Sequence, residues 1–527
     1  MGIGHIGHAG RNRRAGRAGQ VGRAGYVGYV GRAGHGRSPA RAAAVAAVAL
    51  AVVAGTAVTA GAAGAAGGAP EGEGTTQRPG VGRLEGVWRT DGYGTVAEIR
   101  GTTLTTYDVT RAGCTPGWLS GVQVGAPGHG GTVRYGEPGK TYALLSVTPR
   151  GRDRAVYKED GATATKDLTR LPGGLPAQCR QPAPQDPLSV FDRFWATFEE
   201  NYPFFAAKGI DWHAEGARAR AGITPATTAD QLEEVFAGLL RPLGDAHVAL
   251  GRKEADGGYR LALGVLRPGT REYDDREKEQ AARAVATQLL APERTFGRGR
   301  LGVGELPGGI GYLRVSAFDG YVEDGPYQDH AAELDRALDL LLAHPERLNG
   351  LVIDLRLNGG GSDELGLRIA SRLTERPFLA YRKVARNDPA DPTRFTAPQP
   401  SVVRPAPGTT RFDGPVALLT AGSTISAGET FTQAMAERRP APVRVGENTQ
   451  GVFSDIMFKP FSGDFVALLP NEKFLTRDGG TFDGPGIPPD VRTPVFTTEE
   501  LNRGLDSALT EARRILTARP AGTAGNA

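Results

Sequence analysis

Apolar and polar residues change their period along the chain, and each change marks a boundary. Between residues 83 and 181, short runs (TVAEIRG, TLTTYDVT, YALLSVTPR, RAVYKED) are separated by glycine and proline turns. Such runs predict strands, and the segment reads as a small β-rich accessory domain. The proline-rich stretch LPGGLPAQCRQPAPQDP closes it. Helical spacing then takes over. Val190, Phe191, Phe194, Trp195 and Phe198 form a stripe for burial. A second helix is announced by Thr228 and Gln231, a capping-box pair, and runs through LEEVFAGLL to a stop at Pro242-Leu243-Gly244. Asp245-Ala246-His247-Val248 follows at once. Residues 185–295 are therefore read as a helical subdomain.

From Gly309 the pattern alternates between strand and helix. GIGYLRVSAF is a strand, HAAELDRALDLLLAH an amphipathic helix, and GLVIDLRL a strand apolar enough to be buried on both faces. SDELGLRIASRL, PVALLT, SAGETFTQAMAERR, VRVGEN and DFVALLP continue the series. This alternation predicts an α/β core over residues 296–516, with a small polar tail at 517–527.

Charge changes this picture at the N-terminus. The 527 residues hold 62 Lys+Arg and 58 Asp+Glu, a net +4. Eight arginines precede the first acidic residue, Glu71, so the chain beyond them carries 54 basic against 58 acidic residues. The basic excess belongs to a Gly/Arg/Ala-rich leader, which argues against a nucleic-acid partner. The uncharged apolar run Ala42–Ala54 and the small-residue sites after it complete an export-signal pattern over residues 1–66. Residues 67–82 read as a linker. Secretion is expected, or anchoring at the outer face of the membrane if the signal is not cleaved. Cys114 and Cys179 would then meet an oxidising compartment and form a disulfide. Two buried thiols are the alternative.

Three local signals carry chemistry. Asn358-Gly359-Gly360-Gly361 sits between a buried strand and a helix, where backbone N–H groups can hold an oxyanion or a phosphate. Ser426-Ala427-Gly428-Glu429 opens a helix after PVALLT; the serine is either a nucleophile or the cap of a capping box. His247 follows a helix stop and is either a general base or a structural histidine.

Taken together with LRPLGDAHVAL, VIDLRLNGGG, AGSTISAGE, VGENTQG and DGPGIPPDV, the chain from Asp192 onward resembles the tricorn-core and C-terminal (tail-specific) processing serine peptidases. The resemblance implies a ClpP/crotonase-like spiral core and hydrolysis of peptides or proteins without a cofactor. It implies Ser426 as nucleophile, Gly360, Gly361 and Ala427 as oxyanion donors, His247 as base and Asp483 as the carboxylate that orients it. The tail-specific branch places a lysine where this chain has Val452, so the tricorn-like branch, with its histidine base, fits better. Two positions depart from that branch: Ala246 stands for a serine and Asp483 for a glutamate. A binding protein of the same fold, holding an apolar ligand, is the alternative. An acyl transferase is disfavoured by export. The sequence leaves the oligomeric state open.

Overall fold

The computed structural model describes residues 81–518, apart from Asp256, Leu263 and Gly264. The leader, the export signal and the last residues of the tail lie outside the described residues. Among the described residues no helix is long and apolar enough to cross a membrane.

Nine short strands between Gly86 and Arg170 form one antiparallel sheet. The strands Thr95–Arg100 and Thr103–Thr110 pair with each other as well as with their outer neighbours, so eight of the nine close a ring. This closure removes most of the free edge and makes the sheet barrel-like. Its interior is apolar: Trp88, Ile99, Leu104, Val133, Tyr135, Val147 and Leu168 are all buried. Cys114, on the ninth strand, and Cys179 form a disulfide.

Three helices follow, α1 (Pro187–Asn201), α2 (Trp212–Ala221) and α3 (Ala229–Leu240). Asp186 caps α1 by accepting from Ser189 N–H at 3.0 Å. Thr228 and Gln231 make the capping box of α3, with bonds of 3.3 and 2.9 Å. The stripe of α1 packs with Phe236 of α3 and with Phe461, Phe465 and Leu469. Phe465 and Leu469 lie on a four-stranded sheet in the order Tyr259–Ala262, Ala249–Lys253, Phe465–Pro470, Ile456–Pro460. His247 is two residues ahead of its second strand.

The centre is a seven-stranded sheet whose strand order follows the chain: β1 (Arg294–Phe296), β2 (Leu301–Leu306), β3 (Ile310–Val315), β4 (Gly350–Asp354), β5 (Val416–Thr420), β6 (Val443–Gly446) and β7 (Val491–Arg492). β1 to β3 are antiparallel neighbours; β3 to β7 are parallel. Parallel strands need crossovers, supplied here in part by α4 (Tyr327–Leu341), α5 (Asp363–Ser371) and α6 (Ala427–Ala436). Leu351, Ile353, Val416 and Leu418 face these helices. The alternate residues Val352, Ala417 and Leu419 face α7 (Ser507–Ala518) on the other side. A period of two on strands covered on both faces explains why GLVIDLRL reads as continuously apolar.

The barrel-like sheet is packed directly on this core. The Lys459 ammonium, on the four-stranded sheet, donates to Asp108 Oδ1 (2.6 Å), the Tyr93 carbonyl (2.6 Å) and Thr95 Oγ1 (2.9 Å). Tyr93 OH donates to Glu472 at 2.7 Å. Ser362, just past the glycine turn, donates to the Gly161 carbonyl at 3.0 Å.

Candidate active site

The parallel strands β4 and β5 end side by side, and the loops that leave them carry the two glycine- and serine-based signals. Asn358 joins them. Its carbonyl accepts from Ile425 N–H at 3.1 Å, and its side chain donates to the Val315 carbonyl at 2.8 Å. Gly360 has φ 90° and lies so close to Ser426 that a Cβ on it would stand 2.6 Å from the serine Cβ. Only glycine tolerates both conditions.

Ser426 is held at φ 57°, ψ −122°, far from the extended conformation of an ordinary N-cap. Its N–H donates to the Val452 carbonyl at 3.1 Å and reaches Glu429 Oε2 at 3.3 Å. Glu429 is fully buried and binds the neighbouring loop as well, accepting from Gly451 N–H at 2.6 Å and Val452 N–H at 2.8 Å. Burial pushes its carboxyl up to about 8, against the downward pull of Thr449 and these N–H groups. Glu429 thus clamps the serine turn to residues 451–452. The sequence signal for it was the Ser-x-x-Glu spacing, which reads equally well as a plain cap.

The two glycines differ in what their N–H groups do. Gly360 N–H is already donated to Asn358 Oδ1 at 2.9 Å. Among the described residues the N–H groups of Gly361 and Ala427 have no acceptor. Ala427 opens α6, so its N–H adds to the positive end of a helix dipole.

Asp483 is tied to the same loop. Its Oδ1 accepts from Phe453 N–H at 3.3 Å and its Oδ2 from Thr481 Oγ1 at 2.5 Å. Burial raises its carboxyl to about 7, and the charge of Asp245 adds to this. His247 arrives from the other side, since its neighbour Ala246 packs on Ile425 and Val452. The imidazole is 1% exposed, and neither ring nitrogen has a hydrogen-bond partner. Burial lowers its pKa, while Asp245, Asp455 and the nearby Ser454 backbone pull it back up. Asp245 fixes the loop by accepting from His247 N–H at 3.0 Å and from Tyr202 OH at 2.7 Å. The structure therefore brings Gly360 and Gly361 of one loop against Ser426 and Ala427 of the next, with Asp483 tied to the loop at 451–453. It makes no hydrogen bond from His247 to Ser426 or to Asp483.

Residues 309–493 match the model of peptidase family S41. The chain carries an S41 peptidase domain. Ser426, Asp483 and both glycines fall within the matched residues of the S41 domain, and His247 lies ahead of them. The family is one of serine peptidases, which makes the chain a serine-type hydrolase of peptides or proteins. Among solved structures, one similar to it is a putative peptidase from Parabacteroides merdae, 23% identical with a TM-score of 0.51, covering 64% of this chain and 98% of that one. The photosystem II D1 C-terminal processing protease is 14% identical, TM-score 0.36, over 61% of this chain and 98% of its own. The tricorn protease is 14% identical, TM-score 0.38, over 80% and 45%. A comparison with curated proteins found no match.

Proposed function

We propose that the chain is an exported serine peptidase acting through an acyl-enzyme, with a ClpP/crotonase-like spiral core and a helical subdomain that carries the base. Ser426 attacks the scissile carbonyl and His247 takes its proton, then returns it to the leaving amine. Asp483 holds the imidazole and stabilises the imidazolium. Gly361 and Ala427 N–H groups receive the oxyanion, each such donor contributing about 3–4 kcal/mol by the measure of other peptidases. Gly360 acts by its missing side chain, since its own N–H is spent on Asn358.

The observation that carries the reading is the conformation of Ser426. A serine at φ 57° on a helix N-terminus, so close to Gly360 that a Cβ there would stand 2.6 Å from its own, is strained backbone at a place where an N-cap needs none. Such strain presents a hydroxyl to substrate. His247 supports it: a buried imidazole with a lowered pKa is neutral at pH 7, as a base must be. No hydrogen bond joins it to Ser426 in the free protein, and catalytic bonds commonly tighten only when substrate binds.

The test is labelling and turnover. Wild type reacts with a fluorophosphonate probe and cleaves an unbiased peptide pool. Ser426→Ala and His247→Ala lose turnover by about 10³-fold or more while keeping the native circular dichroism. Equal cleavage by either variant rules the assignment out, and an inert wild type favours the apolar-ligand binder.

A further inference from the structure

We propose that the cavity between the barrel-like sheet and the S41 domain is a subsite for a lysine or arginine side chain of the substrate. The proposal rests on the peptidase reading above. The cavity measures about 280 Å³, just under the usual range for small-molecule sites, roughly 300–1,000 Å³. That is room for one long side chain.

Its place follows from the chain. Asp455, which lines it, is three residues beyond Val452, whose carbonyl takes the Ser426 N–H. Three extended residues span about 10 Å, so a peptide bound at Ser426 can reach the cavity within a few residues.

Its charge selects the occupant. Lys383 serves two carboxylates at once, Asp455 at 2.6 Å and Glu472 at 3.1 Å, while Lys459 and Lys166 each serve one, Asp108 and Glu159. One negative charge is left over. The exposures decide which sign meets a ligand. The Asp455 and Glu159 side chains are 58% and 38% exposed, whereas Lys383 and Lys459 lie beneath at 4% and 5%. The Lys166 side chain is 27% exposed, so the cavity presents two carboxylates against one ammonium and hides the other two ammonium groups. Its walls suit the stem of a basic residue. Trp118 stacks on Phe458 at 4.9 Å along one side. Tyr93 and Tyr157 already hold one ammonium, that of Lys166, over their rings at 4.6 and 5.4 Å. Most of this site comes from the barrel-like sheet and its loops, which gives that sheet a part in choosing substrates.

The test separates binding from chemistry. The Ser426→Ala chain is titrated calorimetrically with acetylated, amidated tetrapeptides Ala-Ala-X-Ala, and with the versions having X one place earlier or later. X is lysine, arginine, norleucine or glutamate. Lysine or arginine at one of these positions is expected to bind at least tenfold tighter than norleucine, and glutamate weakest. Glu159→Gln, on the sheet, should cut that preference at least threefold with norleucine binding unchanged, whereas Trp118→Ala, which removes a wall for the stem, should weaken lysine and norleucine alike. Equal affinity for lysine and norleucine at every position, or a preference untouched by Glu159→Gln, overturns the proposal. Probe labelling of wild type reports on Ser426 independently, so the two failures stay distinct.

Discussion

At the scale of the residue, Ser426 and its proposed partners make two predictions. A non-glycine residue at positive φ costs on the order of 1–3 kcal/mol. Ser426→Gly should therefore raise unfolding stability by about 1 kcal/mol in urea titrations while abolishing turnover, the pattern of strain held for function. Unchanged or lowered stability would falsify the strain. The second prediction concerns pH. The carboxyl of Asp483 titrates at about 7 and His247 below its usual 6.5. Both must be deprotonated to act, so kcat/KM should rise with pH and level off above about 8, its upper ascending limb near 7. In Asp483→Asn only the histidine limb remains, below 6.5, at a reduced plateau. A limb that stays near 7 in that variant removes Asp483 from the mechanism. The residues proposed to carry the chemistry could be named from the sequence, because serine at a strand–helix junction and consecutive glycines are short-range signals. Which glycine N–H is available was not legible, since that depends on where the Asn358 amide points.

At the scale of the element, the loops after β4 and β5 are positioned by what lies at the strand ends. Arg356 is fully buried just past β4. It pairs with Asp354 Oδ2 and Asp506 Oδ1, each at 2.6 Å, and lies over the Phe496 ring at 4.0 Å. Asp354 also accepts from Tyr312 OH at 2.8 Å. This cluster pins β4 to the segment before α7. Asp506→Ala leaves the Arg356–Asp354 pair but takes the acceptors from two buried guanidinium bonds, so it should cost about 1–3 kcal/mol, read as a lowered denaturant midpoint. A loss under 1 kcal/mol would mean that solvent reaches Arg356. The elements around this cluster could be read from periodicity: the α1 stripe, the α3 capping box and the buried strand at 350–354 all appear in the structure. The Arg356 cluster could not. Its residues stand 150 positions apart in sequence at Arg356 and Asp506, and no local period links them.

At the scale of the whole molecule, the barrel-like sheet is bound into the core. All three acceptors of the Lys459 ammonium come from the sheet, and so does the phenol that binds Glu472. Deleting residues 81–180 would leave Lys459 buried without acceptors, or exposed with the apolar surface around it. We expect the remaining chain to be markedly more sensitive to limited proteolysis and to melt earlier than the full protein. A truncated chain with an unchanged melting temperature would show the sheet to be an independent unit. The amino-acid sequence by itself determined the order of strands and helices and the motifs at their junctions. These depend on turn chemistry and on periods of two and 3.6, which act over a few residues. Ring closure of the sheet, the sharing of Lys383 between two carboxylates and the cavity that results were decided by tertiary structure alone. Each depends on groups too far apart in sequence for any local period to link them: strands tens of residues apart close the ring, Lys383 meets Asp455 72 positions on, and the cavity joins Tyr93 to Glu472.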